Sequence, residues 1–207
     1  MFNVITSKNK RIAIKLRQSG HSLSEIRRET GISKSTLSLL VRGLQLSEYA
    51  KTVLHQKKFR SKLDSKKEWE SSMDWSNALI GDLNKRDWMI ILAMIYWGEG
   101  TKKELNMINS DPTMIKVFVF CIRLLGVKNK DIQVGLRLFP NCDVKVSKKF
   151  WSNIIGMKQS QITGIEFVAG SKRHKHIYGM CRIRVRQGGL YFKKIISMIN
   201  FVKGKLP

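Results

Sequence analysis

The stretch Ser22-Leu-Ser-Glu-Ile-Arg-Arg-Glu-Thr-Gly-Ile-Ser-Lys-Ser-Thr-Leu-Ser38 decides the fold of the N-terminal part of the chain. Ser22 followed three residues later by Glu25 is the capping-box pattern that begins a helix. Gly31 can take the positive φ angle that a tight turn between helices demands, and Ser33 can cap the helix that follows. The stretch therefore predicts two short helices joined by a sharp turn.

Helical periodicity extends this pattern on both sides. Upstream, Ile12, Ala13 and Leu16 recur at helical spacing, and the pattern stops at Ser19-Gly20, which predicts a first helix. The third helix, Lys34 to Val41, carries its apolar residues on one face and ends at Arg42-Gly43. Its other face is short, polar and basic, with candidate DNA-binding residues Ser33, Lys34, Ser35, Thr36 and Ser38, and Arg42 at its end. These residue types reach phosphates and base edges when a helix enters the major groove.

Residues 9–44 closely resemble the bihelical unit of bacterial helix-turn-helix proteins, such as resolvase-type DNA-binding domains. The resemblance implies a helix-turn-helix bundle that binds double-stranded DNA. The alternative is a small three-helix bundle used for protein contacts, and the basic third helix favours DNA over that alternative.

Charge supports a nucleic-acid partner. The 207-residue chain carries 39 Lys+Arg against 15 Asp+Glu, a net charge of +24, which attracts a polyanion. The basic residues are spread along the chain instead of forming one interfacial helix, which favours nucleic acid over a membrane surface. No apolar stretch approaches the ~20 residues of a spanning helix, no apolar signal core begins the chain, and three widely spaced cysteines indicate reduced thiols. We expect a cytoplasmic, nucleoid-associated protein with no membrane partner.

The charge is distributed unevenly, with +7 over residues 1–46, +3 over 47–86 and +14 over 87–207. The run Ser47–Met73 has no Gly or Pro and alternates charged with isolated apolar residues, which is typical of a solvated connecting helix. The stretch Gly81-Asp-Leu-Asn84 then indicates a break in the helix before a new structural unit. The sequence thus predicts a DNA-binding domain over 1–46, a helical linker over 47–86 and a second domain over 87–207.

The second domain begins with an apolar helix. Asp87 can cap a helix over Trp88–Trp97 that is apolar on every side, so its own domain or a partner chain must bury it all round. The helix stops at Gly98-Glu99-Gly100, where two glycines leave Glu99 projecting beyond the buried helix.

The segment Leu92-Ala-Met-Ile-Tyr-Trp-Gly-Glu-Gly100 resembles the nine-residue LAGLIDADG motif of homing endonucleases, with Met94 where that family has glycine and Trp97 where it often has aspartate. In that family the motif helices of two domains or subunits pack at the centre of a saddle-shaped dimer. The resemblance implies that Glu99 is the catalytic, metal-binding acid, that Mg²⁺ is the cofactor, and that the chain forms a homodimer through its 88–100 helix. The matching small residues Ala93, Gly98 and Gly100 would lie at the dimer interface. On the alternative interpretation Glu99 is a surface residue in a helix C-terminal turn, and the helix is ordinary core.

The elements that follow agree with such a domain. Periodicity predicts a strand over 104–109, a helix over 114–125, a strand over 132–139, a helix over 147–155, strands over 165–168 and 178–186, and a closing helix over 190–202. The predicted class is α+β, consisting of the helix-turn-helix bundle, the linker helix and a LAGLIDADG-like αββαββα domain with an inserted helix.

Two stretches of the second domain are candidates for DNA contact. Arg182, Arg184 and Arg186 fall on one face of a strand by the period-2 rule, with no acid among them along that strand, and arginine commonly reads guanine. The loop 170–176 resembles a phosphate clamp, with Lys172, Arg173 and Lys175 as contact residues.

Two activities are consistent with this sequence. The first is a site-specific, Mg²⁺-dependent DNA endonuclease of the homing type, and the second is a non-cleaving DNA-binding regulator that keeps the same fold. RNA binding ranks third because helix-turn-helix geometry suits the B-form major groove.

Overall fold

The computed structural model describes residues 6–169 and 176–205. The chain divides into two compact units, residues 1–81 and residues 82–207. Within the described ranges the structure has eight α-helices and one four-stranded sheet. The fold is therefore of the mixed α+β class, as the sequence predicted.

The first unit contains three short helices and one long helix. Helices α1 (Ser7–Gln18), α2 (Leu23–Thr30) and α3 (Lys34–Leu40) pack around a small core. That core consists of the buried residues Ala13, Ile26, Ile32 and Leu37. The predicted helix starts are confirmed, because Ser22 and Glu25 form a reciprocal capping box and Ser33 caps α3.

Helix α4 (Glu48–Ile80) continues past the predicted stretch and ends at Gly81, where the sequence indicated a break. Its first turns pack on the three-helix core, with Ala50 fully buried and Val53 against Gly20. From residue 58 onwards almost every residue of α4 is exposed. A stable solvated helix of this kind agrees with the alternating charges of its sequence.

The second unit alternates helices and strands. Its elements are α5 (Lys85–Glu99), β1 (Asn106–Asn109), α6 (Pro112–Leu124), β2 (Ile132–Leu138), α7 (Val144–Ile155), β3 (Ile162–Phe167), β4 (Met180–Val185) and α8 (Gly189–Lys203). The cap of α5 is Asn84, and Asp87 closes its capping box from the third helical position, so the predicted start at Asp87 was three residues too late.

The sheet has the strand order β1-β4-β2-β3. Strand β4 is antiparallel to both of its neighbours, whereas β2 and β3 are parallel. Parallel neighbours need a crossover connection, and α7 provides it, so the predicted inserted helix is the link of a β-α-β unit. The observed order is αβαβαββα, and the predicted first hairpin is reduced to β1 and an isolated antiparallel bridge between Gly100 and Met107.

The helices of this unit cover one face of the sheet and leave the other face open. Apolar residues of the strands, such as Ile183 and Leu136, meet helix residues such as Tyr96, Phe118 and Trp151 in a single core. Helix α5 is buried on one side only, since Leu92, Ala93 and Tyr96 are inaccessible while Ile90 is 41% and Trp97 37% exposed. Its own domain therefore does not bury this helix all round, and burial by a partner chain stays a prediction.

Candidate nucleic-acid interface and carboxylate site

The candidate DNA-binding face of α3 is open to solvent. Ser33, Lys34, Ser35, Ser38 and Arg42 are exposed, and Thr36 is half-buried. The Ser33 hydroxyl accepts a hydrogen bond from the Thr36 backbone N–H (3.3 Å) and lies 2.9 Å from both the Ser35 and the Thr36 hydroxyl oxygens. The N-terminal turn of α3 thus presents a cluster of hydroxyls beside a lysine.

A left-handed turn fixes the direction of α3 relative to α2. Gly31 adopts φ 69°, a conformation in which a Cβ atom is strained. The Thr30 hydroxyl donates to the Ile26 carbonyl at 2.7 Å, and Ile32 enters the core directly after the turn. These contacts at the turn therefore fix the orientation of α3 and of its exposed face.

A charge pair joins α2 to the long helix α4. The Lys57 ammonium donates to both carboxylate oxygens of Glu25 at 2.9 Å and to the Gly20 carbonyl at 3.2 Å. The hydrogen bond from Lys57, together with the Ser22 backbone N–H, lowers the pKa of Glu25 from 4.5 to about 2. Sequence reasoning assigned Glu25 only to the capping box, because a partner 32 residues away leaves no local signal.

The carboxylate predicted to bind metal is the last residue of α5. Glu99 is exposed, and its Oε2 atom accepts a hydrogen bond from the Asn109 side-chain amide at 3.1 Å. Asn109 ends β1, and its own oxygen accepts from the Asp111 backbone N–H at 2.8 Å. Asn109, which the following loop holds in place, thus orients the Glu99 side chain. Glu99 lies within the last turn of α5, whereas the sequence predicted that it projects beyond the helix.

The three small residues predicted at the dimer interface lie in different environments. Ala93 is fully buried within its own chain. A Cβ atom on Gly100 would lie 2.5 Å from the Tyr96 ring, whereas one on Gly98 would meet nothing within 4 Å. The small size of Ala93 and Gly100 is therefore explained by packing inside one chain, and only Gly98 faces open space.

The donor set around Glu99 is small. Among the described residues, no group of three or more His, Cys, Asp or Glu side chains is placed to hold a metal ion. Mg²⁺ commonly takes only one or two protein carboxylates and completes its shell with water and phosphate oxygens. Glu99 supplies one exposed carboxylate per chain, which fits such a site alone or together with the same residue of a second chain.

The three arginines predicted to contact DNA follow the expected alternation. Arg182 and Arg184 lie on the open face of the sheet, while Cys181, Ile183 and Val185 on the other face are buried. Arg186 is exposed just beyond β4, where its side chain donates to the Lys130 carbonyl at 3.4 Å.

Acidic residues from neighbouring parts of the sheet accompany these arginines. Arg182 and Arg137 both contact Oε2 of Glu166, at 3.3 and 2.9 Å, and Arg184 contacts Glu104 at 2.6 Å. Residues 178–186 contain no acid, as noted from the sequence, but carboxylates from other elements lie beside these arginines. Arg137 and Glu166 were missed, although the alternation along 132–139 already placed Arg137 on the solvent side.

The remaining predicted contacts, Lys172, Arg173 and Lys175, lie outside the described residues. Within residues 6–169 and 176–205, no helix combines the length and the apolar character that crossing a membrane requires. No family model matches the chain, and no curated protein or solved structure shows significant similarity to it.

Proposed function

We propose that this protein binds double-stranded DNA through α3 and through the open face of its sheet. The proposal depends chiefly on the exposed face of α3, where hydroxyl side chains lie beside Lys34 in a region, residues 1–46, of charge +7. Short polar and basic side chains on such a helix reach phosphates and base edges. The chain's net charge of +24 adds a long-range attraction for DNA.

We further propose that two chains associate through α5 and cut the bound DNA. Ile90 and Trp97, two turns apart on α5, are partly exposed apolar side chains, and the open position at Gly98 allows a second backbone to come close. Glu99 is the last residue of α5, so an interface that joins the C-terminal ends of two α5 helices would bring the Glu99 residues of two chains near each other.

In this arrangement Mg²⁺ would be held by Glu99 of both chains, and it would activate water for attack on a phosphodiester and stabilise the developing negative charge. Asn109 donates to one carboxylate oxygen of Glu99. This contact restricts the side-chain rotamers of Glu99.

A non-cleaving regulator is the second candidate function. It needs no metal site, and among the described residues no group of three or more His, Cys, Asp or Glu side chains is placed to hold a metal ion. A regulator needs only the two DNA-binding surfaces and places no demand on the Glu99 carboxylate.

A cleavage assay separates the two functions. The substrate is the duplex that the full-length protein selects from a random library, inserted into a supercoiled plasmid and incubated with and without Mg²⁺. We expect the wild-type protein to nick it only with Mg²⁺ and Glu99→Gln to bind it with unchanged affinity without nicking. If the wild type binds but never nicks the plasmid, the protein is a regulator.

DNA binding itself has a separate test. Lys34→Ala should weaken duplex binding, because it removes a cation from the α3 face. Lys67→Ala removes the same charge from an exposed position of α4 and serves as the control for net charge. Equal effects of the two variants would refute binding through α3.

A further inference from the structure

The part of α4 beyond its first turns is exposed to solvent, yet it carries large apolar side chains. Trp69 is 74%, Phe59 65%, Met73 62% and Leu63 43% exposed. At 3.6 residues per turn, these four residues fall within an arc of about 120° around the helix, and we call them the α4 stripe. An apolar stripe along one side of a long helix is typical of a surface that a second helix covers.

Charge is divided unevenly along the same part of α4. Residues 57–67 contain six basic residues and one acid, whereas residues 68–80 contain three acids and no basic residue. A parallel pair of such helices would bring like charges together over both parts. In an antiparallel pair the basic part of each helix meets the acidic part of the other. The charges therefore select a second copy of α4, running in the opposite direction, as the occupant of the stripe.

The order of residues on either side of Lys66 supports the same arrangement. If a two-fold axis passes at Lys66, residues at equal distances before and after it face each other across the pair. Apolar residues then meet apolar residues and basic residues meet acids, in the pairs Phe59 with Met73, Leu63 with Trp69, Lys62 with Glu70, and Lys58 with Asp74. The like-charged pair Asp64 and Glu68 falls on the opposite side of the helix. One register thus satisfies the apolar contacts and the charges together.

The centre of this pair brings Lys66 of one chain against Lys66 of the other. The Lys66 ammonium lies 3.6 Å from Oε1 of Glu70 in its own chain. This carboxylate offsets the repulsion between the two lysines, so the centre of the pair does not prevent association.

The size of the α4 stripe is sufficient for a small interface. Each chain contributes two aromatic rings, which bury roughly 150–250 Å² each. Together with Leu63 and Met73, a pair of chains therefore buries roughly the 1,200 Å² of the smaller specific interfaces. The dimer that this surface forms is expected to be reversible.

We propose that α4 is a pairing surface through which two copies of this chain associate in antiparallel orientation. The two α4 stripes are in contact, and the basic part of each helix lies against the acidic part of the other. Because the three-helix cores pack on the first turns of α4, they lie at opposite ends of the pair, and the dimer presents two α3 faces. This surface is separate from α5, and the proposal does not depend on DNA binding or cleavage.

Sedimentation of the full-length protein without DNA tests the apolar contacts. We expect the wild type to dimerise reversibly and Trp69→Ala to raise the dimer Kd about 30-fold or more, as for a buried tryptophan at an interface. The matched control is Trp75→Ala, because Trp75 is 65% exposed but lies on the opposite side of α4. It should change the Kd less than about 3-fold. Alanine is a better helix former than tryptophan, so neither variant weakens the helix itself.

Charge exchange tests the antiparallel orientation. Lys62→Glu should raise the dimer Kd about 10-fold, although it lowers the net charge of +24, which by itself favours association. Glu70→Lys should act similarly, whereas Glu68→Lys, the same change on the opposite side of α4, should have less than about a 3-fold effect. The double variant Lys62→Glu with Glu70→Lys should restore the wild-type Kd within about 3-fold, since it also places a new carboxylate four residues before Lys66.

Three results would overturn the pairing surface. The first is a wild-type protein that stays monomeric up to about 1 mM. The second is a dimer that Trp69→Ala and Trp75→Ala affect equally, which would place the contact on another surface such as α5. The third is a dimer Kd that Lys62→Glu leaves unchanged. That result fits a parallel pair, in which residue 62 meets its own copy and the reversal only exchanges one repulsion for another.

Discussion

The contact between Glu25 and Lys57 permits a quantitative test of how α4 is attached to the first three helices. Glutamine at position 25 keeps the shape of the side chain but removes the charge that meets Lys57. The substitution weakens the two hydrogen bonds of 2.9 Å that Lys57 donates to Glu25 and the hydrogen bond that the Ser22 backbone N–H donates to the same side chain. We therefore expect Glu25→Gln to loosen both α2 and the first turns of α4.

The lowered pKa of Glu25 gives the size of the expected loss in unfolding free energy. A shift from 4.5 to about 2 corresponds to an upper bound of about 3 kcal/mol of stability, at 1.36 kcal/mol per unit. The Lys57 and Glu25 side chains are 38% and 29% exposed, so solvent screening reduces this value. We expect Glu25→Gln to cost about 1.5 kcal/mol of unfolding free energy at pH 7, within the range for hydrogen bonds to charged groups.

The contribution of Glu25 depends on pH with a definite sign. Its pKa is lower in the folded protein than in the unfolded chain, so the stabilisation is fully present above about pH 4.5 and is lost as the pH falls toward about 2. The difference in stability between the wild type and Glu25→Gln should therefore shrink by about half or more between pH 5 and pH 3.

Native-state hydrogen exchange on the full-length protein measures this locally, at the amides of residues 23–31 and 48–58. A double-mutant cycle of Glu25→Gln and Lys57→Met should give a coupling energy of about 1 kcal/mol. The matched control is Glu48 with Lys51, a pair on α4 at 2.6 Å with 88% and 55% exposed side chains, which should couple by less than about 0.5 kcal/mol. Equal coupling in the two cycles would refute the reasoning.

Two further predictions concern the second unit. Gly100→Ala should destabilise it by about 2 kcal/mol or more in urea unfolding, because the new methyl group would collide with the Tyr96 ring. Gly98→Ala should leave stability unchanged or raise it by up to about 1 kcal/mol, since the position is helical and open; a larger loss for Gly98→Ala than for Gly100→Ala would contradict this. Trp151→Ala should cost about 3–5 kcal/mol in the same assay, because it empties a buried site and removes the donor to the Tyr178 carbonyl at 2.8 Å. Trp151→Phe should cost less, and equal losses would show that the hydrogen bond, not packing, is the main term.

Local signals in the sequence predicted most elements of the fold. The helix ends at Gly31 and Gly81 were predictable because both residues adopt a positive φ angle. Glycine has no Cβ atom to clash in that conformation, and this preference depends only on the local sequence. The alternation of 180–185 likewise identified its buried and exposed sides, because period-2 patterning follows from strand geometry alone. These predictions needed no knowledge of the partners of each element.

Relations between distant strands were not predictable in the same way. The parallel pairing of β2 with β3 depends on where α7 returns the chain, and periodicity contains no information about that. For the same reason, the ion pairs of Glu166 and Glu104 could not be inferred from the arginines of β4. Glu99 was identified by its resemblance to a motif, but its contact with Asn109 depends on the position of β1.

The strand order of the sheet has a consequence for the synthesis of the chain. Strand β4 is the last strand to be made, yet it lies between β1 and β2, and Asn106 of β1 pairs with Arg184. Until β4 is available, β1 has no neighbouring strand and β2 has one unpaired edge, so the sheet of the second unit cannot close before residue 185 has been translated. The first unit is complete by residue 81, and its contacts are more local, a property that favours fast folding. In a growing chain the N-terminal unit would therefore be folded while the edges of β1 and β2 in the second unit are still unpaired, and unpaired strand edges promote aggregation.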